Sequence, residues 1–197
     1  RVVCQSALLI ALPHAQHTLP VMKLNHIVCP TDFSECSVNA LKYAASLAKA
    51  SNAHLHLVHV YNRPYNTTSY NGAISAQVDS SAHAEMREAV LHDLRQLAQL
   101  DFMAGVQATA KLITDKPAWK FYEDLDTTQA DLVVMGTLGM TGLLHGGIIG
   151  TNTERVIRHA PMPVLSVPGE AMMGSGIKQI LFATDFSEES TSVFSQV

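Results

Sequence analysis

The chain alternates between short apolar runs and longer segments in which apolar residues recur at helical spacing. The apolar runs predict buried strands at residues 24–30, 53–60, 105–113, 131–136 and 163–167. The helical spacing predicts helices at residues 34–51, 78–100, 117–129 and 151–159. Because strands that alternate with helices are joined by right-handed crossovers, the pattern predicts an α/β fold with an open, mostly parallel five-stranded sheet and helices on both faces.

An internal repeat organises the chain. Residues 27–37, IVCPTDFSECS, return as residues 180–190, ILFATDFSEES, with seven identities in eleven positions. The offset of 153 residues is about one domain length. We therefore expect one complete domain at residues 23–168, a linker at 169–176, and the truncated start of a second copy of the domain at 177–197.

Residues 1–22 precede the first strand pattern. Arg1 and the apolar stretch up to Pro13 loosely resemble a secretory signal, and a Met-Lys pair at Met22 and Lys23 stands directly before the first predicted strand. We expect residues 1–22 to be a leader outside the core of the domain. The alternative is a targeting or anchoring segment.

Composition and charge exclude several classes of protein. With 47% hydrophobic and 15% charged residues, the 197-residue chain has enough apolar side chains for a globular core. Thirteen lysines and arginines against seventeen aspartates and glutamates give a net charge of −4, which predicts no nucleic-acid partner. No apolar run reaches the roughly 18–20 residues that span a bilayer, so no membrane partner is expected. Three cysteines without a Cys-x-x-Cys pair indicate a reducing, cytoplasmic compartment.

The first candidate for ligand chemistry is the turn after the first predicted strand. Asp32 stands where that strand ends, and ligands of open parallel sheets bind outside the carboxyl ends of the strands. Its carboxylate can accept hydrogen bonds from an adenine amino group or from ribose hydroxyls. The alternative is that Asp32 caps the next helix, a role that Ser34 is also suited to fill.

The second candidate is a glycine-rich stretch between the fourth strand and the last helix, residues 136–152, GTLGMTGLLHGGIIGTN. Glycines let backbone N–H groups approach phosphate oxygens, and the N-terminus of the following helix adds a positive dipole end. No Gly-Lys-Ser/Thr occurs, so the stretch is not a P-loop. The alternative is a loop that holds no ligand.

Together, these segments resemble the universal stress protein family in its tandem form. The resemblance rests on VCPTDFS at residues 28–34, LVHV at 57–60 and DLVVMGTLGMTGL…GTNTERVIRHAPMPVLSVP at 131–168. It implies a Rossmann-like fold of the adenine nucleotide alpha-hydrolase-like kind, commonly dimeric, with ATP bound in one subfamily and not in another. The binding subfamily has the signature G-x2-G-x9-G-[ST], whereas ten residues separate Gly139 from Gly150 in this chain.

The resemblance also implies roles for individual residues. Thr31 and Asp32 would approach the adenosine, and Val58 or Val60 would flank the adenine. The candidates around the glycine loop are Gly136, Gly139, Gly150, Thr151 and Asn152. The metal would be Mg²⁺ bound through the phosphates rather than by protein ligands.

The expected function is that of an ATP-binding module in stress response or signalling, without enzymatic activity, in which nucleotide occupancy biases assembly. One alternative is a nucleotide-free α/β dimerisation module that acts through protein contacts. The other is a slow ATP hydrolase, for which His145 and Glu154 are the nearby candidate bases. The apolar strand at residues 163–167 is expected at a sheet edge, where it could pair with a second domain or a second copy of the chain.

Histidines and cysteines add little chemistry to this expectation. His54 and His56 share one face of a predicted strand while His59 faces the other way, so no metal site is expected. Cys29 lies within a strand and should be an inert buried thiol. Cys36, in the first turn of a helix, is expected to be the more reactive of the two.

Overall fold

A computed structural model of the chain describes residues 9–11, 23–61, 75–114, 116–124, 130–138 and 149–169. Six strands lie in these ranges: β1 Leu9–Ala11, β2 His26–Pro30, β3 His54–Tyr61, β4 Ala108–Thr114, β5 Leu132–Gly136 and β6 Val164–Val167. The α-helices are α1 Glu35–Ser51, α2 Ser75–Leu97 and α3 Thr151–His159. Two 3₁₀ helices cover Asp101–Met103 and Ala118–Asp124.

The strands form one sheet in the order β1-β6-β5-β2-β3-β4. Strands β2 to β6 are mutually parallel, which confirms the predicted five-stranded parallel sheet. The sixth strand, β1, is antiparallel and pairs with β6 from Leu9 opposite Ser166 to Ala11 opposite Val164. The expectation that β6 lies at an edge of the sheet is therefore wrong, because a segment of the predicted leader pairs with it. Three residues carry no periodicity of their own, so only the tertiary pairing reveals this strand.

Each face of the sheet has its own apolar core. One face places Ile27, Leu55 and Leu57 against α1, whose Ala40, Ala44 and Ala48 are fully or almost fully buried. These alanines have small side chains, so the helix can lie close to the sheet. The opposite face carries the second cluster, in which residues of the strands contact Val156 of α3 and Phe121 of the second 3₁₀ helix. Helices on both faces are thus confirmed.

Helix α1 begins and ends as its sequence predicts. The hydroxyl of Ser34, the N-cap residue, accepts a hydrogen bond from the amide of Ser37, and Glu35 places a negative charge in the first turn. At the other end, Asn52 adopts the left-handed conformation with a φ of 55° and donates its amide hydrogen to the carbonyl of Ala48. The segment after Pro117, expected as an ordinary helix to residue 129, is a 3₁₀ helix of seven residues; residues 125–129 lie outside the described ranges.

Three histidines form a cluster on one face of the sheet, near the amino ends of β2 and β3. Nδ1 of His26 lies 3.1 Å from Nε2 of His56, and the ring centroids of His54 and His56 are 4.7 Å apart. Thr109 of β4 is within hydrogen-bonding distance of His54 and His56. Partial burial lowers the pKa of His56 to about 4, and positive charges on His54, His26 and Lys111 act in the same direction. Among the described residues, no group of three potential ligands is arranged to hold a metal ion.

The His56 shift predicts a stability that falls in acid. In the folded chain His56 takes up a proton only near pH 4, whereas in the unfolded chain it does so near pH 6.5. The contribution of His56 to the free energy of unfolding is therefore highest above pH 6.5 and decreases as the pH falls towards 4. We expect His56→Gln to flatten the pH dependence of the urea midpoint over this interval. His92→Gln, which replaces an exposed histidine on α2, should keep the wild-type slope. Equal slopes for the two variants would contradict this account.

Candidate functional site

The strand order marks the carboxyl ends of β2 and β5 as the place where open α/β sheets bind ligands. From β2 the chain passes through α1 to β3 on one side, while β5 pairs with β2 on the other side, so β2 and β5 flank the point at which the direction of winding reverses. Pairing between them covers Ile27 with Leu132 and Val28 with Val133. Strand β5 runs on to Gly136, and Pro30 has no N–H to donate to a neighbouring strand. The candidate site lies at this edge of the sheet.

A relay of hydroxyl groups holds the turn between β2 and α1. The hydroxyl of Ser37 donates to the carbonyl of Ser34 at 2.8 Å, so the 2.9 Å contact between Ser37 and Thr31 must use the proton of Thr31. The oxygen of Thr31 is then free to accept the amide hydrogen of Phe33 at 3.0 Å. Phe33 has a φ of 64°, an uncommon conformation for a bulky residue, and this relay contributes to holding it there.

Asp32 lies at the centre of this turn. Its Oδ1 accepts hydrogen bonds from the amide and the hydroxyl of Ser34. The helix cap itself is Ser34, so Asp32 supports the cap residue instead of capping the helix directly. The carboxylate is held at the carboxyl end of β2, where the sequence predicts adenosine contacts, and those contacts stay a prediction.

Two other predicted adenosine contacts, Thr31 and Val58, are largely enclosed by protein. Thr31 is 6% exposed, its amide donates to the carbonyl of Val58, and its own carbonyl accepts a hydrogen bond from His59. Val58 is fully buried in the second apolar cluster. Val60, the alternative to Val58, is only partly buried against the same cluster, so of the two valines it is the one with surface to offer a ligand.

The end of β5 meets the start of α3 and the start of α1. The hydroxyl of Thr153 donates to the carbonyl of Gly136 at 2.9 Å, and the amide of Gly150 donates to the carbonyl of Thr137 at 2.7 Å. A Cβ on Gly136 would lie 2.8 Å from Sγ of Cys36 and 3.1 Å from its carbonyl carbon. Gly136 therefore allows α1 to pack closely against the end of β5. The sequence predicts only a phosphate contact for this residue.

The first turn of α3 offers backbone donors at the same edge of the sheet. Gly150 is the N-cap residue, has no side chain with which to cap the helix, and is followed by the exposed Thr151 and Asn152. An uncapped N-terminus presents amide hydrogens and the positive end of the helix dipole. The predicted site residue Gly139 and the candidate base His145 lie outside the described residues.

The cysteines near the site are both buried. Burial raises the pKa of the Cys29 thiol to about 12, so this cysteine stays protonated, as expected of an inert thiol. Cys36, expected to be more reactive, is 7% exposed, and its Sγ lies 3.6 Å from the carbonyl oxygen of Val167. Its position against Gly136 gives it a packing role.

Sequence reasoning missed three residues of this edge: Phe33, Ser37 and His59. The first two had a signal, because the internal repeat preserves both of them together with Thr31 and Asp32. His59 had none, since its contacts with the Thr31 carbonyl and the Phe33 ring join segments that are distant in the sequence.

Comparison with known proteins identifies the family. Residues 23–168 match the model of the universal stress protein family over its domain. The chain belongs to the universal stress protein family. Universal stress protein MJ0531 from Methanocaldococcus jannaschii is 33% identical over 142 residues, which cover 72% of this chain and 80% of that protein.

Solved structures of other proteins have the same fold. Hypothetical protein MJ0577 superimposes with a TM-score of 0.63 at 22% identity, covering 75% of this chain and 97% of that one. Universal stress protein UspA from Lactobacillus plantarum gives a TM-score of 0.54 at 21% identity, covering 74% of this chain and 98% of that one. The predicted fold, an open α/β sheet with helices on both faces, is thus confirmed.

The close approach at Gly136 predicts that a methyl group is not tolerated there. We expect Gly136→Ala to lower the free energy of unfolding by about 1–3 kcal/mol, because the new Cβ meets Sγ and backbone atoms of Cys36. Gly169→Ala is the matched control, since its Cβ would lie at an ordinary 3.7 Å from the same cysteine. Urea unfolding measures both variants. The packing role is refuted if the two variants are equally stable.

Proposed function

We propose that this universal stress protein binds an adenine nucleotide, with ATP as the physiological ligand, at the carboxyl edge of β2, β3 and β5. The observation that carries the proposal is that two different groups lie at the carboxyl ends of two adjacent strands, β2 and β5. The Asp32 carboxylate lies just after the carboxyl end of β2. The start of α3, which has no side-chain cap, is hydrogen-bonded to the end of β5. A carboxylate accepts hydrogen bonds from ribose or adenine, and a helix N-terminus attracts phosphate.

The donor groups around α3 fit a phosphate chain. Thr151 brings a hydroxyl and Asn152 a side-chain amide, and both residues are exposed at the first turn of the helix. Gly150 keeps the approach to this turn free of side-chain atoms. Glu154, also in the first turn, is ion-paired with Arg158 at 2.9 Å, so its negative charge is partly compensated. Mg²⁺ would bind through the phosphate oxygens.

On the adenosine side, the proposal assigns contact to Asp32 and Val60. Val60 retains exposed surface at the end of β3, one strand from Asp32. Thr31 contributes through the conformation of the turn, because its hydroxyl, amide and carbonyl all have protein partners. Gly139 belongs to the same proposal through the family signature.

We propose binding without efficient hydrolysis. Among the described residues near the phosphate side, the candidate base is Glu154, and the guanidinium of Arg158 holds its carboxylate at 3.0 Å. The ion pair with Arg158 engages Oε1 of the carboxylate that would have to accept a proton from an attacking water. In the full chain incubated with MgATP for many hours, we expect no formation of ADP above the rate in buffer. Accumulation of ADP that Glu154→Gln abolishes would establish the hydrolase instead.

Assembly would accompany nucleotide binding in this proposal. Residues 177–197 begin a second domain of the same kind, as the repeat of residues 27–37 suggests, and either that domain or a second copy of the chain is the partner. The edge of β6 already carries β1 over three residues, so a partner at this edge would displace a short pairing. Within the described ranges, no helix has the length and hydropathy of a membrane span. The low cysteine content favours the cytoplasm.

Titration of the full chain with ATP and Mg²⁺ by calorimetry tests the binding. We expect saturable binding below millimolar nucleotide, and we expect Asp32→Ala to weaken it by about 10–100-fold, because hydrogen bonds to a charged group are lost. The matched control is Asp131→Ala. Asp131 also accepts backbone hydrogen bonds, from the amides of Asn25 and His26, but it lies at the opposite edge of the sheet.

The Asp131→Ala control distinguishes a loss of nucleotide affinity from a loss of folding stability. Both aspartate variants should lose about 1 kcal/mol of folding free energy, since each removes hydrogen bonds to main-chain or hydroxyl groups. Only Asp32→Ala should change nucleotide affinity. If the wild-type chain shows no saturable binding at millimolar ATP, the ligand proposal fails and the nucleotide-free dimerisation module becomes the better account.

A further inference from the structure

His59 contacts both neighbours of Asp32. Its Nδ1 lies 2.7 Å from the carbonyl oxygen of Thr31, and its ring centroid lies 4.8 Å from that of Phe33, with the planes tilted by 41°. Asp32 stands between these two residues in the chain. The hydroxyl of Ser37 also contacts residues on both sides of the aspartate, Thr31 and Ser34, but from the helix.

The chemistry of the contact fixes the tautomer of His59. A carbonyl oxygen can only accept a hydrogen bond, so Nδ1 must carry the proton and, in the neutral ring, Nε2 carries the lone pair. The amide of Thr31 donates at 2.8 Å to the carbonyl of Val58, the residue before His59. The two bonds run in opposite directions between the turn and the end of β3. They hold the turn at a fixed distance from that strand.

The turn needs this support because Phe33 is strained. A left-handed φ of 64° costs a bulky L-residue free energy, and such conformations persist where the surroundings over-determine them. The hydroxyl relay from Thr31 to Ser37 restrains Phe33 from the helix side. The ring of His59 restrains it from the sheet side. The carboxylate of Asp32, which bonds Ser34, lies between these two restraints in the chain.

We propose that His59 is the positioning residue of the nucleotide site: its Nδ1–H bond to the Thr31 carbonyl holds the strained turn so that the Asp32 carboxylate faces the ligand. The inference rests on the proposed function for its consequence in binding, but the hydrogen bond itself is a property of the ligand-free chain. His59 need not touch the nucleotide. It acts through the backbone on both sides of Asp32.

Two substitutions test the hydrogen bond and the ring contact of His59 separately. The side-chain amide of asparagine places an N–H where Nδ1 stands, so His59→Asn keeps the donor and loses the ring. His59→Phe keeps an aromatic ring beside Phe33 and loses the donor. We expect His59→Phe to weaken ATP binding by about tenfold, as the loss of one well-placed hydrogen bond allows, and His59→Asn to stay within about threefold of the wild type. His54→Phe, at the amino end of the same strand, is the matched control and should bind as the wild type does.

A second measurement needs no nucleotide. Nitrogen-15 spectra of the full chain should show His59 as the Nδ1–H tautomer at neutral pH, and the amide signals of Phe33 and Ser34 should move in His59→Phe but not in His59→Asn. An Nε2–H tautomer, or equal shifts in both variants, overturns the positioning role whether or not ATP binds. Correct spectra without any ATP binding by the wild type would leave the positioning of the turn standing and refute the proposed ligand. Equal affinities for the two variants, with binding intact, overturn the role of the hydrogen bond in recognition.

Discussion

The turn between β2 and α1 is the constraint on which the carboxyl edge of this domain depends. A strand that ends at Pro30 must reverse within a few residues and start a helix whose face carries small alanines. Hydrogen bonds within the turn stabilise this reversal. The hydroxyls of Thr31, Ser34 and Ser37 each donate one of these hydrogen bonds and accept another. Hydrogen bonds that pass through hydroxyls in this way polarise one another, so the network is stronger when complete than its separate members.

Helix α1 can start close to the sheet because the last residue of β5, Gly136, has no side chain. Gly136 lies against the backbone and the thiol of Cys36, and the same glycine offers its carbonyl to Thr153 at the start of α3. One residue thereby fixes the positions of two helix N-termini relative to β5. The carboxyl ends of β2 and β5 are thus shaped by close packing of α1 against Gly136.

The turn that carries Asp32 is held on two sides by the rest of the domain. Strand β3 bonds the turn from one side through His59 and Val58, and α1 bonds it from the other side through Ser37. The proposed division of labour follows. In the proposed site, Asp32 and Val60 would contact the nucleoside, the start of α3 would contact the phosphates, and Thr31 and His59 would hold the turn.

The sequence alone determined the five parallel strands, the helices α1 and α3, and the membership of Thr31, Asp32 and Gly136 in one edge of the sheet, because periodicity, capping residues and an internal repeat are local signals. It did not determine that β1 pairs with β6, since three residues show no period. It also could not show that Val60, and not Val58, keeps exposed surface, or that Gly136 packs against Cys36. The contact of His59 with Thr31 joins residues 28 apart, and His26 joins His56 across 30. Such contacts exist only when strands lie side by side, so burial, hydrogen-bond partners and the shift in the pKa of His56 were decided by the tertiary structure.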